Sequence, residues 1–372
     1  MKIIHLVLGK ANPDRMNGVN KVVNSLATYQ RNHKVDVILW GITSRLEMNF
    51  PERPYNTVLF PSLKNKLTIS KKLVKAIAKL DKQTVVHIHG GFIPEFYHVV
   101  RLLVKHGIAY VYTPHGAFNV KAMQKSKLRK KIYFFLFEKY ILQHTGCVHC
   151  IGESEQKVMK ENYPSLKTVL IPNGQNRGDV KFVSTNIPKK HFPVFGFCGR
   201  IDIETKGLDL LFTAFKKFKE TRDTKANFWV IGGGGEIIAL KEMVNKLGIS
   251  DSVTFWGEQF GNAKLNILSK IDVFFHPSRN EGLPGAVLEA AALGIPCVVS
   301  KESNMANYVE TYQAGVGLQK NTVQAIYEAM NNEEVMEQKE NAIRMIEEVF
   351  SWDMIVQKHL EVYEQSAKLL EA

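Results

Sequence analysis

No run of about 18 or more consecutive apolar residues occurs in this chain, which argues against a membrane-spanning helix. Cysteine is equally scarce, with four in 372 residues, and nothing about their placement calls for an oxidising compartment. Cys147-Val148-His149-Cys150 has the C-x-x-C spacing of redox and zinc sites. No second ligand pair follows, however, and the run alternates like a strand. Cys198 and Cys297 lie in apolar runs and read as small core residues. A solenoid-period repeat and a low-complexity tract are both absent, which removes repeat scaffolds from consideration. The run Ile3–Leu8 is too short for a signal peptide and lacks a cleavage site, so it reads as a buried first strand.

What is present has the composition of a globular protein: 45% hydrophobic and 23% charged residues. The length exceeds one typical core, so two domains are expected. Net charge is +13 and sits in one place. Residues 61–140 carry 16 Lys/Arg against 3 Asp/Glu, while the remainder carries 33 of each sign. That polarised surface suits an anionic partner.

Short apolar runs alternate with helical patterns along the chain. The strands expected in the first half are Ile3–Leu8, Val35–Leu39, Val85–His89, Tyr110–Thr113 and Cys147–Ile151. Those of the second half are Val194–Cys198, Phe228–Ile231, Val253–Trp256, Val273–His276 and Cys297–Val299. Such continuous apolar runs fit parallel strands buried on both faces, and the alternation predicts doubly wound α/β domains. Between the halves, residues 171–190 have turn residues and no periodicity, as a linker would. The expected domains are 1–175 and 190–350. Ser351 is placed to cap a last helix opening at Trp352.

The most informative stretch runs from Ser278 to Glu289, with Glu281 and Glu289 eight positions apart and Gly282-Leu283-Pro284-Gly285 between them. It is a strand, a loop and then a helix start. Such a junction offers unpaired N–H groups and a positive dipole end to an anion, while the carboxylates can accept bonds from hydroxyls. Gly199-Arg200 to Lys206-Gly207 is a second strand-to-helix loop. It sets two cations where a diphosphate can rest, Arg200 as a fork and Lys206 as a point charge. A third, Gly232-Gly233-Gly234-Gly235, is not G-x-G-x-x-G and supports no dinucleotide fingerprint. It serves equally as a tight turn or as a close approach to a ligand, as does the nearby Trp256-Gly257-Glu258. Met16-Asn17-Gly18-Val19 opens a helix, where Gly18 allows a phosphate close to the backbone. An ordinary helix start capped by Asn17 fits that stretch as well.

His115, in Pro114-His115-Gly116, is the candidate catalytic histidine at a strand end. His87 and His89 invite a metal reading, but the sequence supplies no convincing third ligand. They read as polar ends of a buried strand. Lys121 to Phe137 mixes cations with aromatics. It suits an anionic membrane surface, or a core helix with a basic entry. Nucleic-acid binding lacks any fold signature.

The string from Pro277-Ser278 through Glu281 and Glu289 to Pro296-Cys297-Val298 resembles the E-x7-E motif of retaining glycosyltransferases of the glycosyl transferases group 1 family. The resemblance covers nearly the whole chain and is specific mainly from Phe197 to Val299. It implies a GT-B fold, two Rossmann-like domains facing across a cleft, with the C-terminal helix, about 352–372, returning to the first domain. It implies transfer of a sugar, with retention, from a UDP- or GDP-sugar to a glycan or lipid-linked acceptor, in surface polysaccharide or glycolipid biosynthesis. No metal or other cofactor is implied, because Arg200, Lys206 and helix dipoles take the cation's place. His115 would face the donor sugar, and Glu281 would position its hydroxyls. The N–H groups of Gly282, Leu283, Gly285 and Ala286, in the loop that Pro284 shapes, would meet the sugar and distal phosphate. Glu289 would hold the ribose, while Gly257 and Glu258 would line the base, and Gly18 would approach the donor. The chain departs from the family by having Asn17-Gly18 where two glycines are usual, and a loop longer by one residue between Arg200 and Lys206. A cytoplasmic protein, peripheral at the inner membrane face, is expected. An epimerase or phosphorylase of the same fold, and a non-catalytic sugar-nucleotide or glycan-binding subunit, are the alternatives.

Overall fold

The structure is a computed structural model that describes residues 1–12, 18–48, 50, 52–124, 126–179, 192–222 and 225–369. Two compact units divide the chain, Met1–Gly174 with Trp352–Ala372 and Gln175–Ser351.

The first unit holds a seven-stranded sheet. Its strands are β1 (Lys2–Leu8), β2 (Asp36–Thr43), β3 (Asn56–Pro61), β4 (Thr84–His89), β5 (Ala109–Thr113), β6 (Cys147–Cys150) and β7 (Thr168–Leu170). They run in the order β3-β2-β1-β4-β5-β6-β7, and all pairings are parallel. The expected strands are all present. β3 and β7 are additional; both are sheet edges whose apolar runs, Val58–Phe60 and Val169–Leu170, are short and only partly buried. Apolar side chains fill both faces. On one, Ile4, Leu6, Val86, Ile88, Tyr110 and Tyr112 pack with Phe96, Val100 and Leu103. On the other, Ile3, Val7, Leu39 and Val111 pack with Val23, Leu26, Ile355 and Tyr363.

Ile355 and Tyr363 come from the last helix, Trp352–Lys368, which belongs to this first unit although it ends the chain. Trp352 stacks on Tyr29 with centroids 5.3 Å apart. Gly174 lacks a side chain because a Cβ there would run into the Trp352 ring.

The second unit holds β8 (Val194–Cys198), β9 (Asn227–Ile231), β10 (Val253–Gly257), β11 (Val273–His276), β12 (Cys297–Ser300) and β13 (Gly315–Leu318). The order is β10-β9-β8-β11-β12-β13, again parallel throughout. β13 is an edge strand with two glycines, Gly315 and Gly317, which hid it from an apolar-run criterion. Seven phenylalanines, 195, 197, 212, 215, 218, 228 and 275, dominate this core. All four cysteines are free and buried, with Cys147 and Cys150 in β6 as the alternating pattern required.

In each sheet the strand order reverses once, between β1 and β4 in the first and between β8 and β11 in the second. The carboxyl ends of the strands beside such a switch point are where open α/β sheets bind ligands.

Candidate active site

The two loops that leave β8 and β11 are fastened to each other. Asp202 caps the short helix Ile203–Lys206 by accepting the Thr205 N–H at 3.0 Å. Gly207 then turns the chain with φ 67°, and a Cβ there would overlap the Pro277 carbonyl oxygen. Only glycine lets the first loop lie this close to the second. Thr205 O accepts from the Arg279 N–H and from Ser278 Oγ, both at 2.8 Å. The Arg279 guanidinium forks onto Asp209 with two bonds of 2.7 Å.

This fastening delivers Lys206 Nζ onto Glu281 Oε1, with both side chains largely buried. The same oxygen accepts His276 Nε2–H at 2.9 Å. Burial pushes the Glu281 carboxyl upward, but the His276 hydrogen bond and the Lys206 charge outweigh it and hold it at about 2. His276 is itself kept neutral by burial, against the pull of Glu281. Phe197 lies parallel to its ring at 5.7 Å. Glu281 is therefore a permanently ionised acceptor at neutral pH.

Beyond Glu281 the chain runs into the helix Gly285–Ala292. Asn304, in the left-handed region at φ 60°, donates its Nδ2 to the carbonyls of Glu281 and Gly282, each at 2.9 Å. The loop's carbonyls are thus held on the Asn304 side. The N–H groups of Gly282, Leu283, Gly285 and Ala286 have no acceptor among the described residues. A Cβ on Gly285 would meet nothing within 4 Å. Four donors and open space at a helix N-terminus can receive an anion.

Glu289 lies one turn into this helix, buried, with its Oε2 2.6 Å from Lys264 Nζ. Burial lowers the Lys264 pKa, but Glu289 more than reverses that and raises it. Arg200 is largely exposed and meets Asp202 at 3.4 Å, a long contact on its own loop. The glycine-rich turn follows β9. Gly232 and Gly234 have φ 140° and 148°, and the Gly232 N–H reaches Gly257 O at 2.7 Å. Gly257 and Glu258 are exposed at the end of β10.

Gly18 and His115 lie in the first unit. Gly18 opens the helix Gly18–Asn32 and is exposed. Met16 and Asn17, of the same motif, lie outside the described residues. His115 follows β5 with φ 56°, a conformation that non-glycine residues seldom adopt and that concentrates at functional sites. Burial lowers its pKa to about 3, and its Nε2 lies 3.1 Å from His89 Nδ1.

The sequence did not point to His276, Asn304 or Lys264. His276 ends a strand that was recognised, but its partner Glu281 is across a turn. Asn304 and Lys264 are 23 and 25 residues from the groups they hold. His5 stands as a third histidine beside His87 and His89, set opposite His87 by the β1–β4 register. Ligand atoms of the three lie within 4.8 Å of one another.

Two parallel doubly wound sheets define an α/β protein of GT-B type. The model of Glycosyl transferases group 1 matches residues 180–352, and that of Glycosyltransferase Family 4 matches residues 16–177. The two matches together cover most of the chain and support a group 1 glycosyltransferase. It is 29% identical over 259 residues to the UDP-Gal:alpha-D-GlcNAc-diphosphoundecaprenol alpha-1,3-galactosyltransferase of Escherichia coli. That alignment covers 66% of this chain and 63% of the relative, so the chain spans less than two thirds of that protein's length. Among solved structures, sucrose-phosphate synthase of Thermosynechococcus elongatus superimposes with a TM-score of 0.76 at 18% identity, covering 98% of this chain and 99% of that one. Anabaena HepE in complex with UDP also gives 0.76, at 16% identity, covering 98% and 100%.

Proposed function

We propose that this protein transfers a sugar from a UDP-sugar to a hydroxyl of a glycan or lipid-linked acceptor, with retention at the anomeric carbon. The observation that carries the reading is the placement of Lys206 beside the unpartnered N–H groups of Gly282, Leu283, Gly285 and Ala286. A departing diphosphate gathers negative charge, and a fixed cation with aligned donors stabilises it as it leaves. Arg200, exposed on the same loop as Lys206, can add a forked contact to phosphate oxygens. In this reading no metal is required for that step.

Glu281 serves as an acceptor for sugar hydroxyls. A carboxylate held at about 2 is a poor general base at neutral pH, since efficient bases titrate near the working pH. We therefore favour front-side attack in which the leaving phosphate takes the proton of the incoming hydroxyl. Glu289, fixed by Lys264, is assigned to the ribose, Gly257 and Glu258 to the base, and His115 and Gly18 to the donor. The choice of UDP is supported by the HepE complex and by the UDP-Gal donor in the name of the E. coli relative.

That relative's name also specifies a diphosphoundecaprenol-linked acceptor, which supports a lipid-linked acceptor here. Leu128, Ile132, Phe135 and Leu136 form an exposed apolar stripe, with Lys127, Arg129 and Lys131 exposed around it. Such a stripe suits the surface of an anionic membrane, with work on surface polysaccharide or glycolipid at its inner face. Among the described residues no helix is long and apolar enough to cross a membrane.

The test is incubation with labelled UDP-sugars and lipid-diphosphate acceptors. The reading expects UDP release and an α-linked product from an α-linked donor. Binding of UDP-sugars with no turnover on any acceptor would replace it by a non-catalytic binding subunit.

A further inference from the structure

Eight hydrogen bonds join nine groups of the first unit into one line. His149 Nε2 lies 2.7 Å from the Ile171 carbonyl oxygen, and His149 Nδ1 lies 2.7 Å from Thr113 Oγ1. Thr113 Oγ1 is 2.6 Å from His87 Nε2, and His87 Nδ1 is 2.7 Å from the Tyr363 hydroxyl. Tyr363 meets Gln30 Nε2 at 3.2 Å, and Gln30 Oε1 meets His5 Nε2 at 2.7 Å. His5 Nδ1 is 2.9 Å from His89 Nε2, and His89 Nδ1 is 3.1 Å from His115 Nε2.

One end of the line is a backbone carbonyl, which can only accept. His149 must therefore carry its proton on Nε2, and its Nδ1 must accept from the Thr113 hydroxyl. Thr113 then accepts from His87 Nε2–H, so His87 Nδ1 accepts from the Tyr363 hydroxyl. Tyr363 in turn accepts from the Gln30 amide nitrogen, which turns the Gln30 carbonyl oxygen toward His5. His5 has to donate from Nε2 and accept at Nδ1 from His89. His89 accepts at Nδ1 from His115 Nε2–H. A neutral imidazole has one donor and one acceptor, so each step leaves no choice. Burial lowers the pKa of all five rings, which keeps them neutral.

We propose that this line, anchored at the Ile171 carbonyl, fixes His115 as its Nε2–H tautomer and so presents Nδ1 as an acceptor for a sugar hydroxyl. His5, His89, Gln30 and Tyr363 are then positioning residues for His115. The role toward a hydroxyl rests on the assignment of His115 to the donor; the tautomer does not. Tyr363 lies on the C-terminal helix, so that helix completes the line. The same bonds account for the three-histidine cluster without a metal, since its nitrogens are occupied by protons and partners.

The test uses the full-length protein with 15N-labelled histidine. Two-bond proton–nitrogen correlation near neutral pH reports which ring nitrogen carries the proton. The expected result is Nε2–H at His115 in the native protein. In Tyr363→Phe, Gln30 loses the partner that orients it, and a mixture of both tautomers is expected at His115. Unfolding temperature monitors the fold, and Thr113→Val breaks the line at an independent point and should give the same mixture. A native Nδ1–H at His115, or an unchanged tautomer in both variants, overturns the proposal. So does stoichiometric metal bound at His5, His87 and His89. Transfer activity separates the second layer. A mixed tautomer with a loss of kcat/KM of roughly three- to tenfold supports the hydroxyl role. A mixed tautomer with unchanged activity upholds the line and overturns the assignment of His115 to the donor.

Discussion

Lys206 and Glu281, 75 residues apart in the chain, form an ion pair in which His276 shares the same carboxylate oxygen. The pair links the loop after β8 to the loop after β11 at the point where the strand order reverses. Lys206→Ala removes the cation from the departing diphosphate and is expected to lower kcat/KM by about 10²–10³-fold. Steady-state kinetics check this, and activity within twofold of the native protein in a folded variant would contradict it.

The pair also gives a pH signature. Glu281 titrates at about 2 in the folded protein against an ordinary 4.5. Its contribution to stability is fully present above 4.5 and is lost as pH falls through the window from 4.5 to about 2. Chemical denaturation at pH 7 and pH 3 should therefore show a smaller acid loss in Glu281→Gln than in the native protein. An equal loss in both would count against the paired carboxylate.

Glu138 and Glu155 behave in the opposite sense. Both are buried and pushed up to about 7, chiefly by burial, against weaker opposing hydrogen bonds. The folded state holds their protons between pH 4.5 and 7 while the unfolded state releases them, so stability falls as pH rises through that window. Glu138→Gln and Glu155→Gln should each raise Tm at pH 8 and change it little at pH 4.5. Thermal unfolding at the two pH values checks the sign.

Two glycines separate structure from ligand contact. Gly207→Ala places a Cβ against the Pro277 carbonyl at φ 67° and should cost about 1–3 kcal/mol or more, detaching the two loops. Gly285→Ala puts a Cβ into open space at a helix start and should leave Tm unchanged or slightly raised. Its methyl group would nevertheless stand where the diphosphate is proposed to lie. UDP affinity measured by calorimetry should fall at least tenfold in Gly285→Ala, and unchanged affinity would remove the phosphate from that helix end.

The apolar stripe through Leu128, Ile132, Phe135 and Leu136 can be tested in the same way. Replacing Ile132 and Phe135 by serine should reduce sedimentation with anionic vesicles and spare activity on a soluble acceptor analogue. Equal sedimentation of both proteins would leave the stripe without a membrane role.

Much of the fold was legible because parallel strands buried on both faces leave continuous apolar runs. Three edge strands were less legible: β3 is half exposed, β7 has three residues, and β13 carries two glycines. The site was legible where chemistry is local, as in Glu281 to Glu289 or Lys206-Gly207. Its supporting contacts were not. Asn304, Lys264 and His276 act across turns and helices, and no spacing rule connects them to their targets. The line from Ile171 to His115 draws on seven separate segments, including the last helix, and the parallel registers of β1, β4, β5 and β6 together with that helix's return bring them into contact.

The position of a bound diphosphate decides the role of Lys206 and of the Gly282–Ala286 loop. A crystal structure with UDP tests this directly. The expected result is a diphosphate against the N–H groups of Gly285 and Ala286, with Lys206 within contact distance. A diphosphate bound away from both, with the Gly282–Ala286 loop untouched, would contradict it.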